Sequence, residues 1–362
     1  MKFLTLEKES FGLDVSDLSL KIMKLKKRGD LFRVDSFGQM SIEAGVVEKG
    51  LIKNEDALAK IIKVALKNIQ GKKIRTKYVI VSLPEEKSFL QVIQMPKMEK
   101  GDLRSAIFFE AENYIPLPIG EVYLDFQIIE PVNDSQNHLD VLMVAMPKKI
   151  VNTYVSCLKK AGLIPLAFEI ESEAIARALI KNETSNAPVA LIDFGKNSTD
   201  FIVFSGRSIR FTYSIPISSE QLTAAISKSL GIDLEEAEKI KLKYNLSRIN
   251  TDERLKKTLE AIAPILEDLA AQVKKNMNFY QDHAPDEHVA AKKIEKIFLC
   301  GGGANLKGLP EFLSRKLNIS VELHDTWMHF LSQRLIVGAN ANFLSFTTAL
   351  GLAMRGIENN LK

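Results

Sequence analysis

Two stretches of the chain, FGLDVSDLSLKIMKL at residues 11–25 and ALIDFGKNSTDFIVF at residues 190–204, end an apolar run in an aspartate and continue with matching spacings. Asp14 matches Asp193, Ser16 matches Gly195 and Ser19 matches Ser198, about half the chain apart each time, the pattern of an internal duplication. An apolar strand, a tight polar bend and a second apolar strand make a β-hairpin. Such bends expose backbone N–H groups, so two of them facing each other would grip a polyphosphate from both sides. Ser16, Ser19, Asn197, Ser198 and Thr199 would add hydroxyl or amide donors, and Lys21 would neutralise a phosphate oxygen. Asp14 and Asp193, at strand ends, suit a hydrated Mg2+, which keeps most of its waters and needs only one or two carboxylates. Taken alone, either hairpin is equally an ordinary turn with its aspartate in an Asx-turn. Their repetition, joined to a third element, favours the phosphate reading.

That third element is FLCGGGANLKGLPEFL, where an apolar strand meets Gly301, Gly302 and Gly303. Glycines there let the backbone pass close to a flat ligand, although a flexible turn has the same composition. Glu238 and Lys241 are spaced to share a helix face. They would serve a ribose and an adenine, or form a solvated ion pair, and spacing alone favours the ion pair. Of Glu169, Glu171 and Glu173, one could polarise a water as a general base. The three could also simply open a helix at its favourable acidic end. The GxxxxGK spacing of a P-loop is absent. None of the histidines has a nucleophilic arrangement around it, and Cys157 and Cys300 lack metal-ligand spacing.

These residues need elements to position them. Leu103, Ile107, Ala111 and Tyr114 fall on one helical face that must end before Pro116. Strand-like VYLDFQIIE and DVLMVAMP follow, then a helix near 148–161 closed by Lys159, Lys160 and Gly162. Ser218 with Gln221 and Asp233 with Glu236 carry capping-box spacing and predict two helix starts. A long amphipathic helix spans about 252–281 on a stripe from Leu255 to Met277, before the loop-like HAPDEHVAAKK. Gly308-Leu309-Pro310 opens another helix. Alternating strands and helices predict an α/β layered architecture of two similar lobes.

Composition narrows the function classes. With 362 residues, the chain is longer than one core usually serves. Its charge is +4, and its basic residues are spread along the chain rather than gathered in a stripe, which argues against nucleic acid. No apolar segment approaches the roughly 20 residues of a membrane span, and Glu7, Lys8 and Glu9 interrupt the start as a signal peptide would not. A cytoplasmic protein is expected.

Together, FGLDVSDLSLK, LIDFGKNSTDF, FLCGGGANLKGL and EEAEKIK resemble the nucleotide-site segments of the actin, Hsp70 and sugar-kinase superfamily. Within it, YIPLPIGEVYLDFQII (114–129), the phrase from Phe211 to Lys241 and FTTALGLAMRG (346–356) are similar to the PilM family of type IV pilus proteins. The resemblance implies a bilobed actin-like ATPase fold with duplicated ribonuclease H-like lobes and an inserted α+β subdomain, arranged as in the division protein FtsA. It implies first-lobe segments 1–85, 165–186 and 328–362, an insertion at 86–164, a second-lobe core at 187–232 and 294–327, and a helical subdomain at 233–293. It also implies ATP and Mg2+ as ligands, with Glu171 loosely in the place of the water-activating carboxylate and hydrolysis slow or absent. The implied partner is the cytoplasmic N-terminal peptide of PilN, an inner-membrane protein, held in a groove beside the insertion. Ile115, Pro116, Leu117 and Pro118 would contact that peptide or shape its groove. Membrane contact would then be indirect, through PilN, with links to motor ATPases, other platform components and possible self-association. Ser16, where that superfamily usually carries glycine, and Asp17, a negative charge beside the phosphates, imply reduced nucleotide affinity. The alternatives are an FtsA-like polymerising protein and a small-molecule kinase.

Overall fold

The computed structural model describes residues 8–28, 31–129, 138–243, 245–246, 252–284, 293–323 and 343–358. HAPDEHVAAKK, His288, His324, His329 and most of the segment after residue 323 therefore lie largely outside the described residues.

The first lobe opens with β1 (Phe11–Val15), β2 (Ser19–Arg28) and β3 (Leu31–Ser41), an antiparallel meander. The short β4 (Val47–Glu48) and β5 (Leu51–Ile52) precede α1 (Glu55–Lys67), which Asn54 caps by accepting the Ala57 N–H at 3.0 Å. Then come β6 (Gln70–Gly71) and β7 (Tyr78–Leu83), the latter parallel to β1. All five residues of β1 are buried, because the strand is central in its sheet and covered on both faces.

The insertion contains β8 (Phe89–Pro96), α2 (Lys100–Ala111), β9 (Val122–Ile129) and β10 (His138–Pro147). Its strands form a separate antiparallel sheet in the order β8-β10-β9, with α2 packing Leu103, Ile107 and Ala111 into a core of its own. Tyr114, assigned by periodicity to the buried face, is 49% exposed, since the helix ends at Ala111 and the chain turns before Pro116. The next helix, α3 (Lys148–Ala161), belongs with the first lobe: Val151, Tyr154 and Leu158 join the core that α1 covers. The boundary expected near 164 thus moves back to the end of β10. β11 (Ile164–Ile170), parallel to β7, and α4 (Glu171–Leu179) complete this stretch.

The second lobe repeats the plan. Strands β12 (Ser185–Phe194), β13 (Thr199–Gly206) and β14 (Ser208–Ile215) form a meander. Helices α5 (Ser219–Leu230), α6 (Leu234–Lys243) and α7 (Glu253–His283) follow. The Ser218 and Gln221 bonds of the capping box are both present, and Asp233 accepts the Glu236 N–H at 2.8 Å. α7 buries Ile262, Leu266, Leu269, Val273 and Met277, while Leu259 is left exposed. β15 (Lys296–Cys300), α8 (Leu309–Leu317) and β16 (Ser320–Leu323) close the lobe, and α9 (Thr347–Glu358) packs back on β1. Gly12 makes that packing possible, because a Cβ there would sit 2.5 Å from the Ala349 carbonyl oxygen.

The sheets run β11-β7-β1-β2-β3-β6 and β14-β13-β12-β15-β16. In each, a three-stranded meander is followed by two parallel strands stacked beside its first member. The duplication visible in fifteen residues is therefore a duplication of whole lobes.

Candidate functional site

The two matched turns close with the same bond: Ser16 N–H donates to the Ser19 carbonyl at 2.9 Å, and Gly195 N–H to the Ser198 carbonyl at 2.9 Å. Both line one cavity of about 750 Å3, as do Asp14, Asp193, Lys21, Asn197, Glu171, Glu238, Lys241 and the three glycines. Residues far apart in sequence thus converge on a single space. Thr199 is the exception. It is fully buried, and its hydroxyl donates to the Ile217 carbonyl at 2.6 Å, because it lies in β13 beyond the bend.

The two departures in the first turn have local explanations. Ser16 does not occupy the left-handed region, so glycine is not required, and its hydroxyl donates to the Ser19 carbonyl at 3.0 Å. The Asp17 carboxylate accepts the N–H groups of Lys49 at 2.6 Å and Gly50 at 2.8 Å. Its charge is thereby committed to two backbone amides of a neighbouring turn.

Carboxylates crowd the cavity wall between the lobes. Asp14 accepts from the Ser82 hydroxyl at 2.9 Å and pairs with Lys21 at 3.4 Å. Burial, with Lys21 opposing and Asp14 adding to it, pushes Asp193 up from 3.8 to about 6. Asp200, overlooked in the sequence, sits opposite Asp193 in the β12–β13 register, as Lys21 sits opposite Asp14. Extending the repeat alignment past the bends would have found it. Burial and the nearby Glu85 and Asp193 hold Asp200 well above the usual carboxylate range, though Ser214 donates to it at 2.5 Å. Glu171 is raised likewise, first by burial and then by Asp200 and Asp14. It accepts the Glu85 N–H at 3.2 Å, while Glu85 accepts the Ser172 N–H at 3.1 Å, a reciprocal clamp at the start of α4. Of the three clustered glutamates, Glu171 alone lines this cavity.

Wall carboxylates whose charged form is disfavoured by burial suit a divalent cation. Among the described residues, no three ligating side chains are close enough to cage an ion. An ion here would keep its waters and lean on phosphate oxygens, as Mg2+ does. Directly against that wall, Gly301 takes φ +87°, and a Cβ there would lie 2.1 Å from Asp193 Oδ1. Lys241 is buried, not solvated: its Nζ donates to the Ser219 carbonyl at 3.0 Å, the Ser219 hydroxyl at 2.7 Å and Thr223 at 2.8 Å. It also pairs with Glu238 at 2.7 Å, and Glu238 accepts from Thr223 at 2.6 Å. Ser219 and Thr223, one turn apart on α5, went unnoticed in the sequence because their partners come from another helix.

A second, larger cavity of about 1370 Å3 lies between the insertion and the first lobe. Tyr123 to Gln127 of the edge strand β9 form one wall, and Phe168, Glu173, Arg177 and Met354 belong to the other. Ile115, Pro116, Leu117 and Pro118 do not line it. Ile115 is buried in the insertion's core with Leu117 packed against it, so the motif shapes the insertion and leaves the groove to β9. Glu169, beside this groove, is held by Arg177 at 2.6 Å and Arg355 at 3.1 Å.

A family model described as type IV pilus assembly protein PilM matches residues 12–357. Among solved structures, a PilM-PilN type IV pilus biogenesis complex is similar at TM-score 0.80 and 26% identity, covering 97% of this chain and 99% of that one. MreB 5 of Spiroplasma citri bound to AMPPNP shares the fold at TM-score 0.55 and 12% identity, with 97% of each chain covered. Among curated proteins, FtsA of Neisseria meningitidis is 29% identical over 34% of this chain and 30% of its own length. That match spans less than a third of the relative. FtsA of Enterococcus hirae is 22% identical over 86% of this chain and 77% of its own length. The fold is the actin-like ATPase fold.

Proposed function

The chain belongs to the family of type IV pilus assembly protein PilM, and from that premise we propose that it is an ATP-binding scaffold whose nucleotide cavity governs a peptide groove. The observation that carries this reading is the convergence of the Asp14 and Asp193 turns on one cavity. Backbone N–H groups of the two turns, with Ser19, Asn197 and Lys21, would hold the phosphates of ATP, and Asp14 and Asp193 would hold the waters of Mg2+. Glu238 would take the ribose and Gly301 to Gly303 would pass close to the base. Bound Mg2+ would supply charge neutralisation at the phosphates.

Glu171, which lines the same cavity, would order a water. Burial and the neighbouring Asp200 and Asp14 push its carboxyl well above the usual carboxylate range, which disfavours the charged form a general base needs. ATP then acts as a conformational ligand with slow or no turnover.

The groove beside β9 suits an extended peptide adding a strand to a sheet edge, and the cytoplasmic N-terminal peptide of PilN is the proposed occupant. That partner would tether the chain to the inner membrane and to the motor ATPases and remaining platform of the pilus machine. The test is calorimetry of Mg-ATP and of that peptide with the parent and with Asp193→Ala. ATP binding should disappear in the folded variant, and unchanged ATP affinity would sink the reading. The FtsA match over 77% of that protein's length favours a second reading, a polymerising division protein, which ATP-dependent filaments in electron micrographs would support.

A further inference from the structure

Basic residues that are dispersed along the sequence meet at one end of the first-lobe sheet, opposite the phosphate turns. Lys26, Lys27 and Arg33 come from the β2–β3 hairpin, where Lys26 pairs with Arg33 in register. Lys72, Lys73, Arg75 and Lys77 come from the loop between β6 and β7, and Lys8 precedes β1. All eight are exposed. Contacts knit them together: Lys26 and Lys72 reach the same Asp35 carboxylate at 3.8 and 3.6 Å. Lys24 pairs with Glu9 at 2.6 Å, and Thr76 donates to the Glu9 carbonyl at 2.7 Å. Among the described residues of these segments, Glu9 and Asp35 are the carboxylates. Eight exposed cations against two carboxylates is an excess larger than the +4 of the whole chain, so the rest of the chain taken together is net negative.

We propose that this basic end of the first lobe is a docking surface for anionic phospholipid headgroups. Like charges gathered so densely destabilise the compact state through self-repulsion unless a counter-charge covers them. The segments themselves expose no large apolar side chain among their described residues, and the exposed Ile164 beside Tyr78 lies on the edge strand β11, so the patch lacks the apolar centre of a protein interface. Tyr78 lies under the Lys8 ammonium at 5.1 Å, which takes one face of its ring away from a stacked base. Most of the cations are lysines, flexible point charges that suit a diffuse anionic surface better than one shaped anion. Each Lys or Arg near an anionic leaflet strengthens attachment roughly fivefold. Phe32, paired with Lys27, also lines the groove beside β9, so the patch borders that groove. A partner anchored in the bilayer and seated there would bring the patch to the lipid. That last point rests on the peptide reading; the charge argument does not.

The test is sedimentation of the full chain with vesicles of phosphatidylglycerol and phosphatidylcholine, and with phosphatidylcholine alone. The parent should bind only the anionic vesicles and should be released as salt rises to about 0.5 M, where surface charges are screened. Lys72→Glu with Lys73→Glu and Arg75→Glu should weaken binding at least tenfold while ATP and peptide affinities stay unchanged. Lys26→Gln with Lys27→Gln, on the other side of the patch, should weaken it severalfold and covers the case of a misfolded triple variant. Equal binding by parent and variants, or to neutral vesicles, overturns the proposal. So does tighter binding to single-stranded RNA than to anionic vesicles at the same salt, or displacement by millimolar inorganic phosphate at constant ionic strength. Loss of ATP or peptide binding with lipid binding intact would count against the scaffold reading alone.

Discussion

Glu169 and Glu171 stand on either side of Ile170 and face different cavities, Glu169 the groove beside the insertion and Glu171 the cavity between the lobes. The strand β11 ends at Ile170 and α4 begins at Glu171, and this change of backbone geometry turns the two carboxylates apart. One wall is therefore shared, and a displacement of the junction moves both sites.

Arg177 holds the groove side of that wall through a two-pronged pair with Glu169 at 2.7 and 2.6 Å. Arg177→Ala leaves Glu169 with Arg355 as its remaining cation and should destabilise the fold by about 3 kcal/mol. Urea unfolding measures that loss. If the wall couples the sites, Mg-ATP changes peptide affinity in the parent, typically 5–150-fold for such couplings, and the variant shows a smaller change.

Asp193 titrates at about 6 in the fold against 3.8 when solvated. Between those values the native state holds a proton that the unfolded chain has released, so stability falls as pH rises through this window and stays lower above it. Asp193→Asn removes that fall. Without ligand it should be more stable than the parent above pH 6 by on the order of 3 kcal/mol, with the difference vanishing below about pH 4, in melts recorded across that range.

Gly301→Ala would place a methyl group 2.1 Å from Asp193 Oδ1 and 2.6 Å from the Phe194 carbonyl oxygen, at a backbone angle of +87°. The strand end must then shift and carry Asp193 with it. Mg-ATP affinity measured by calorimetry should drop at least tenfold, about 1.4 kcal/mol or more.

Asp17→Ala distinguishes a structural charge from one that repels phosphate. With the Lys49 and Gly50 amides losing their acceptor, stability should drop by about 1–3 kcal/mol, and ATP affinity should not improve. A tighter ATP complex in this variant would show that the carboxylate acts on the ligand after all.

Much of the fold was legible because local rules carried it. The capping boxes at Ser218 and Asp233, the stripe of α7 and the two hairpins each depend on residues a few positions apart. Tyr114 was misplaced because periodicity does not mark where a helix stops. Whether Ile115–Pro118 contacts a partner or only shapes a groove was open in the sequence, because burial in the insertion's core, as at Ile115, and exposure, as at Pro116, look alike in an apolar motif.

The sequence by itself determined the duplication, the hairpins and the aspartates at their bends, since repetition at matched spacing survives without coordinates. Only the tertiary structure decided that Glu171 faces Asp14 and Asp200 across one cavity and that Lys241 is sequestered by α5. It also decided that Asp17 accepts from two backbone amides of a neighbouring turn and that lysines from distant segments share one surface. Each of these depends on the charge or hydrogen bond of a residue brought close by folding, and a linear pattern carries no information about which distant partner arrives.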